Sequence, residues 1–353
     1  MKLNKYIPLR FRKGNISFLV DRKSVVVILL LLSMTVVLAL LSAGLGEMKI
    51  SPINVIKAWF GYGDDLNKVV VNSFRLPRII IAILVGMSLA ISGVILQGIV
   101  RNPLASPDII GITGGAAVAV VSFLAVFSDE NNALTVSIKW MPLAAFIGAT
   151  VIALLIYLLA WKNGVSPIRL VLIGIGLSAL TQALTTLFMI LGPIYRASQA
   201  NIWLTGSIYG SSWENVSILL PWTFGLIIIL AMVIRHLNAQ GLGDSIATGI
   251  GSGVGRYRMM FLLISTGFAA GGVAFAGGIG FVGLIAPHIS RKLVGSSFGG
   301  LVPVSALIGA ILVIVADLIG RVCFGPSEIP AGVFTAVIGA PYFIFLLYKH
   351  RNL

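Results

Sequence analysis

The sequence predicts an all-α membrane protein of about ten transmembrane helices, and three observations carry that reading. The chain is 58% hydrophobic and only 10% charged, whereas soluble domains carry about 25% charged residues. Its apolar runs recur at lengths near the roughly 20 residues that a helix needs to cross a bilayer. Its basic residues punctuate the ends of those runs instead of gathering in one patch, as topology signals do. That distribution sets aside nucleic acid as a partner, despite a net charge of +14.

The runs follow in order. A basic arm, 1–24, precedes the first run, 25–43. This run is longer than the apolar core of about 7–15 residues in a secretory signal, so it reads as a retained first helix. The second and third runs, 79–99 and 109–127, are separated by R-N-P-L-A-S-P-D at Arg101–Asp108. Pro103 and Pro107 forbid a continuous helix there, and Asn102 and Asp108 are helix-capping types, so a structured turn is expected. Runs at 140–160, 168–191 and 216–235 come next.

A loop of about 237–258 follows. In it, Asp244 is placed to cap a short helix carrying Ile246, Ala247 and Ile250, which glycines then end. Small apolar residues turned to water suit a docking element for a soluble partner. The last four runs are 259–276, 279–294, 302–320 and 331–348. The second of these lies in Gly277–Gly295, whose glycines suit close helix packing in lipid and whose end is marked by Arg291 and Lys292. Residues 25–353 thus read as one ten-helix domain.

Ten spans leave both termini on one side. Placing them in the cytoplasm puts 17 of the 25 lysines and arginines inside, as the positive-inside rule requires. A candidate inverted repeat relates Gly98, Leu104 and Pro107 to Gly278, Leu284 and Pro287 at a constant offset, the two copies following spans of opposite direction.

No catalytic residues are expected: the chain has neither G-x-x-x-x-G-K-[ST] nor H-E-x-x-H. The G-x-G-x-x-G at Gly278–Gly283 follows no strand and is a chance match. Cys323 is the single cysteine, which excludes an internal disulfide or a cysteine-based metal cluster. His288 lacks partner ligands and reads as a hydrogen-bonding histidine at a helix junction, so no metal or cofactor is expected. Asp317 is the clear intramembrane acid. It reads either as a proton or sodium site or, favoured by its position, as an ion pair with Arg321 one turn on. Arg75 and Arg78, in R-L-P-R, either anchor a helix at the headgroups or offer cationic forks to the carboxylates of an external partner, with Arg321 extending that surface.

Taken together, these segments resemble the permease subunits of binding-protein-dependent ABC importers for iron-siderophores, haem and cobalamin. The resemblance rests on an ordered set from about residue 70 onward. It begins with R-L-P-R at Arg75–Arg78, Gly86, Ser92-Gly93 and Gln97. It continues with N-P-L-A-S-P at Asn102–Pro107, Gly111, Gly114–Ala116, W-L-T-G-S at Trp203–Ser207 and Leu242-Gly243. Then come F-V-G-L-I-A-P-H-I-S-R at Phe281–Arg291, Gly295, Ala316-Asp317, Arg321, E-I-P at Glu328–Pro330, Gly332, Thr335-Ala336 and G-A-P-Y-F at Gly339–Phe343. Ile329 stands where leucine is common in the family, and Gly249–Gly255 is unusually rich in glycine.

The resemblance implies a second permease subunit, identical or paralogous, two cytoplasmic ATP-binding subunits and an extracellular or periplasmic binding protein. Ferric siderophore is the implied cargo, with cobalamin or haem as alternatives. The resemblance also implies that Arg75, Arg78 and Arg321 meet acidic residues of the binding protein. Leu242, Gly243, Asp244, Ile246, Ala247, Ile250 and Gly251 would engage the ATPase. Gly174, Ser178, Thr181, Gln182 and Thr185 would line the path, with Ser166 and Pro167 at an inner constriction. The competing reading from another class is an ion-coupled secondary transporter using Asp317.

Overall fold

The computed structural model describes residues 6–10, 17–128, 134–160, 166–325 and 328–349. The predicted N-terminal arm is described only in part, and there it holds an antiparallel pair, β1 (Tyr6–Arg10) and β2 (Ser17–Asp21), with Tyr6 opposite Asp21. Among the described residues the elements after it are helices, apart from an isolated bridge between Ser128 and Leu134. Next is α1 (Arg22–Gly44), followed by α2 (Pro52–Trp59) and α3 (Asp65–Val69). A π-helical turn, Val70–Arg75, runs directly into α4 (Leu76–Val100). A bent connection holds the single turn α5 (Pro107–Ile110) and leads to α6 (Ile112–Val126). Then come α7 (Met141–Ala160), α8 (Pro167–Leu191), α9 (Ile194–Thr205) and α10 (Trp213–Gly241). The chain closes with α11 (Asp244–Gly249), α12 (Val254–Ala276), α13 (Val282–Val294), α14 (Phe298–Val322) and α15 (Ala331–Lys349).

Each of the ten predicted runs is answered by a helix. Among the described residues, seven helices are long and apolar enough to cross a bilayer, α6 and α15 are shorter apolar helices, and α13 spans only 13 residues. Apolar character and burial do not coincide, as they would in a soluble protein. The α1 run is the most apolar of the seven yet only 11% buried, whereas the run ending in α4 is 83% buried. Leu29, Leu30, Val36 and Val37 of α1 are exposed, which costs nothing when the surroundings are acyl chains. The molecule is therefore a bundle with α4 at its centre, touching α1, α10, α12, α13 and α14.

Small residues set how closely α4 is approached. A Cβ added at Gly86 would strike the carbonyl of Gly309 on α14, and one at Gly93 would strike that of Gly283 on α13. Between them, the hydroxyls of Ser92 and Ser265 on α12 meet at 2.8 Å. Without water to drive association, contact of this kind is what holds helices together in lipid.

Gly277–Gly295 departs from expectation. It is not one helix: α12 stops at Ala276, Gly277–Phe281 is non-helical, and only Val282–Val294 winds. Pro287 lies inside α13 and has no N–H to give the carbonyl four residues back, which belongs to Gly283. Gln97 of α4 supplies the missing donor, Nε2 to Gly283 O at 3.3 Å, while its Oε1 accepts from Arg291 Nη1 at 2.5 Å. Two of the three pairs in the proposed repeat occupy unlike local structures, while Pro107 and Pro287 both lie in helices. Gly98 is helical and Gly278 is not, and Leu104 lies in a turn while Leu284 lies in α13.

Gly93→Val is expected to lower stability by about 3 kcal/mol, because a side chain there meets backbone that cannot step aside. Gly176→Val, where a Cβ meets nothing within 4 Å, is expected to leave stability within about 0.5 kcal/mol. Thermal unfolding of the purified chain in detergent checks both.

Candidate functional site

Three places gather the predicted site residues, beginning with the end of the bundle that carries α11. Gly243 and Gly251 bracket this helix with φ of 117° and 81°, values that favour glycine. Asp244 does not cap it as expected. Gly243 holds the N-cap position and Asp244 is the first helical residue, its carboxylate drawn aside by two arginines. Arg258 Nη2 donates to Oδ1 at 2.8 Å, and Arg101 Nη2 binds the same oxygen. Arg101 has φ of 53° and also donates from Nε to Gln240 O at 3.0 Å. The end of α4, the end of α10, α11 and α12 are thereby pinned to one carboxylate.

Burial raises the pKa of Asp244, but Arg258 and then Arg101 outweigh it and hold the carboxyl below its ordinary 3.8. The clamp is therefore fully present above the ordinary carboxylate range and is lost as pH falls through the lowered value. So held, α11 exposes Leu242 (66%), Ile246 (52%) and Ile250 (65%) together. Ala247 does not share that face. It is wholly buried, and its carbonyl accepts from Ser252 N.

At the other end, the three arginines expected to face outward are turned into the protein. Arg75 donates to Ala43 O at 2.6 Å and to Met48 O, closing the connection after α1 over the start of α4. Arg321 reaches Ser42, donating to its carbonyl and to Oγ at 3.0 Å. The expected Asp317–Arg321 pair does not form. Arg78 takes Asp317 instead, with Nε and Nη2 at 3.0 and 2.8 Å from Oδ1, and its Nη1 lies 2.8 Å from Glu328 Oε2. Arg78 prevails because one guanidinium can present two N–H groups to a carboxylate in a plane, whereas Arg321 has turned away toward α1. Asp317 is nearly enclosed, with its side chain 5% exposed, so a buried ion pair accounts for it. Three guanidiniums share this cluster with two carboxylates, leaving one positive charge in excess.

The predicted path residues divide. Gly174, Ser178, Thr181 and Thr185 form a packing stripe on α8, not an open face. A Cβ at Gly174 would press on Ile110, Ser178 Oγ donates to Ile109 O at 3.4 Å, and Thr181 fills the space beside Gly114. Thr185 is buried and donates to Thr181 O. Gln182 alone of the five lies on the exposed face, together with Ile175, Gly176, Ala179, Ala183 and Thr186. Ser166 precedes α8, where its carbonyl accepts from Leu170 N, and Pro167 is the first helical residue. His288 is partnered edge-on by the Tyr342 ring, centroids 5.6 Å apart.

Sequence reasoning missed Arg101, Arg258 and Glu328 as participants, since each acts on a carboxylate or guanidinium far away in the chain. It also missed the joint role of Gln97 and Arg291. Pro287 was the available signal there, because a proline inside an apolar helix leaves a carbonyl in need of a donor.

A bundle of lipid-facing helices around a buried α4, with an anchored polar helix at one end and a buried ion network at the other, defines a multi-pass membrane transport subunit. The chain belongs to the FecCD transport family, which matches residues 34–349. It is 57% identical to the siderophore transport system permease protein YfhA of Bacillus subtilis, over 94% of this chain and 97% of that protein. It is 43% identical to the iron(3+)-hydroxamate import system permease protein FhuG of the same organism, over 93% and 98% of the two chains. Among solved structures it resembles an inward-facing metal-chelate type ABC transporter, with a TM-score of 0.81 at 32% identity, covering 92% of this chain and 99% of that one. It is thus a multi-pass protein of the cytoplasmic membrane with an ABC permease fold.

Arg78→Leu leaves Asp317 buried without its partner and is expected to cost about 3 kcal/mol or more. The double variant R78L/D317L is expected to recover a large part of that loss. A double-mutant cycle of thermal unfolding midpoints checks the coupling.

Proposed function

We propose that the chain is the membrane-spanning permease subunit of a binding-protein-dependent ABC importer and carries ferric siderophore inward. The observation that carries this reading is α11, a short helix clamped at its first residue by Arg101 and Arg258 that offers Leu242, Ile246 and Ile250 to the aqueous phase. Rigid anchoring and an exposed apolar face suit a soluble partner that must push on the bundle. The named cargoes of YfhA and FhuG support the siderophore assignment.

Ten spans, with both termini and α11 in the cytoplasm, agree with the distribution of basic residues. The subunit pairs with a second permease, identical or paralogous, and two ATP-binding subunits dock on the two α11 helices. It holds no ATPase site of its own. The external binding protein settles over the Arg75–Arg78–Arg321 cluster. Since these arginines are inward and engaged, docking proceeds by exchange, a partner carboxylate replacing the half-exposed Glu328 on Arg78 and meeting the surplus positive charge.

The path runs between the paired permeases along the exposed face of α8, where Gln182 and Thr186 supply polar groups among Gly176, Ala179 and Ala183. Ser166 and Pro167 narrow its inner end. Small side chains and few charges let a bulky complex pass without being trapped. The ion-coupled alternative loses its main support because Asp317 is occupied by Arg78.

Uptake of radiolabelled ferric siderophore and of radiolabelled cobalamin, in a deletion strain complemented with this chain, tests the assignment. Restoration of ferric siderophore uptake alone is expected, and restoration of cobalamin alone overturns the cargo. Replacing Ile246 and Ile250 together with Ser is expected to weaken capture of the ATPase subunits about tenfold or more, as for loss of an interface anchor.

A further inference from the structure

Two interruptions in the helical bundle meet inside the membrane, joined by one side chain. The first follows α4. At Arg101 the chain turns and climbs back toward the middle of the bilayer, so that Pro107 packs beside Gly283, which itself abuts Gly93. Gly93 lies seven residues before the end of α4, about 10 Å along the axis at 1.5 Å per residue. The second interruption is Gly277–Phe281, between α12 and α13. They are linked at Asp108, whose Oδ2 accepts the backbone N–H of Phe281 at 3.2 Å.

Phe281 is an unusual residue to find there. Its φ is 65°, a left-handed conformation that costs a bulky side chain on the order of 1–3 kcal/mol and persists only where its surroundings enforce it. Two contacts do so. Asp108 holds its N–H, and its Cβ and ring fill the space a side chain would occupy at Gly339 of α15. Glycines 277, 278 and 280 flank it, so the segment has the freedom of a hinge once either contact is lost. On one side, α13 is tied to α4 through Gln97 and Arg291. On the other, α5 leads into α6, and both pack on the inward stripe of α8 through Gly111, Gly114, Ser178 and Thr181. Asp108 therefore joins the hinge to the helix whose opposite face borders the path.

The position of the carboxylate adds a second argument. Asp108 is only partly buried in the isolated chain. A charged side chain turned to lipid at that depth costs about 2.5–3.5 kcal/mol or more, so its carboxylate is covered by protein or water and not by acyl chains.

We infer that Asp108 is a positioning residue for the α12–α13 hinge. Its bond to Phe281 latches the α4–α6 connection to the α12–α13 hinge, and it breaks and re-forms in each transport cycle. The inference rests on the ABC permease reading above and adds to it a residue and a moving part.

The test uses the full complex in proteoliposomes, with its ATPase and binding protein and a ferric hydroxamate siderophore as probe. Asp108→Ala removes the acceptor and is expected to lower uptake per ATP hydrolysed about tenfold, the effect of losing one hydrogen bond. Asp108→Asn keeps an acceptor oxygen and is expected to stay near wild type. Unchanged coupling in D108A overturns the latch, as does a D108N as defective as D108A.

An independent arm leaves Asp108 in place. In a Cys323→Ser background, Gly280→Cys adds a Cβ that meets Asp108 Oδ2 only at an ordinary 3.8 Å. Its modification by a membrane-impermeant thiol reagent is expected to speed up about tenfold during ATP turnover, the same opening of the latch read kinetically. A rate independent of turnover overturns the inference. Failure of the wild-type complex to import the probe at all points instead to the functional reading beneath it.

Discussion

Helices in lipid gain nothing from leaving water, so α4 is held by contact at the shortest range its neighbours permit. Gly86 against Gly309, Gly93 against Gly283, and the Ser92–Ser265 hydroxyl pair bring α14, α13 and α12 onto it backbone to backbone. Because α4 is fixed on these sides, its ends become fixed points. One end carries Arg75 and Arg78, which organise the connection after α1 and the start of α15. The other carries Arg101, which fastens α11 through Asp244.

The same scarcity of water explains the polar residues. Backbone groups freed by a break must find partners inside the protein, and the structure meets that demand with side chains from elsewhere in the chain. Gln97 serves the carbonyl that Pro287 leaves open, Asp108 serves the N–H of Phe281, and Arg75 and Arg321 serve carbonyls at the end of α1. Such interruptions are tolerated only where protein surrounds them or water lines them. On the proposed latch, the place near α5 and α13 where they cluster is the part of the bundle that moves.

Much of this was legible in the sequence. The apolar runs named every long helix, and the basic residues at their ends suggested the orientation. Pro103 and Pro107 identified the turn after α4, and Asp244 with the glycines that follow located α11, though not its cap. What the sequence withheld was direction. On α8, the glycine and hydroxyl residues at 174, 178, 181 and 185 are spaced to share one face, and that face suits close helix packing as well as it suits a path. Only the neighbours, Ile110 and Gly114, decide between the two. Asp317 and Arg321 stand one turn apart and look like a pair, yet the partner of Asp317 is Arg78, 239 residues away. Local spacing ranks near neighbours first, whereas a bidentate guanidinium brought in by tertiary packing makes the stronger contact.

On the proposed importer reading, energy arrives from outside the chain, through α11, and not from an ion passing Asp317. The most direct measurement is ferric siderophore uptake by proteoliposomes holding the chain with its ATPase and binding protein, under a protonophore and with equal sodium on both sides. The account predicts that uptake continues under these conditions with ATP present and stops when the ATPase is inactivated. Uptake that persists with an inactive ATPase, and collapses with the proton or sodium gradient, would contradict it.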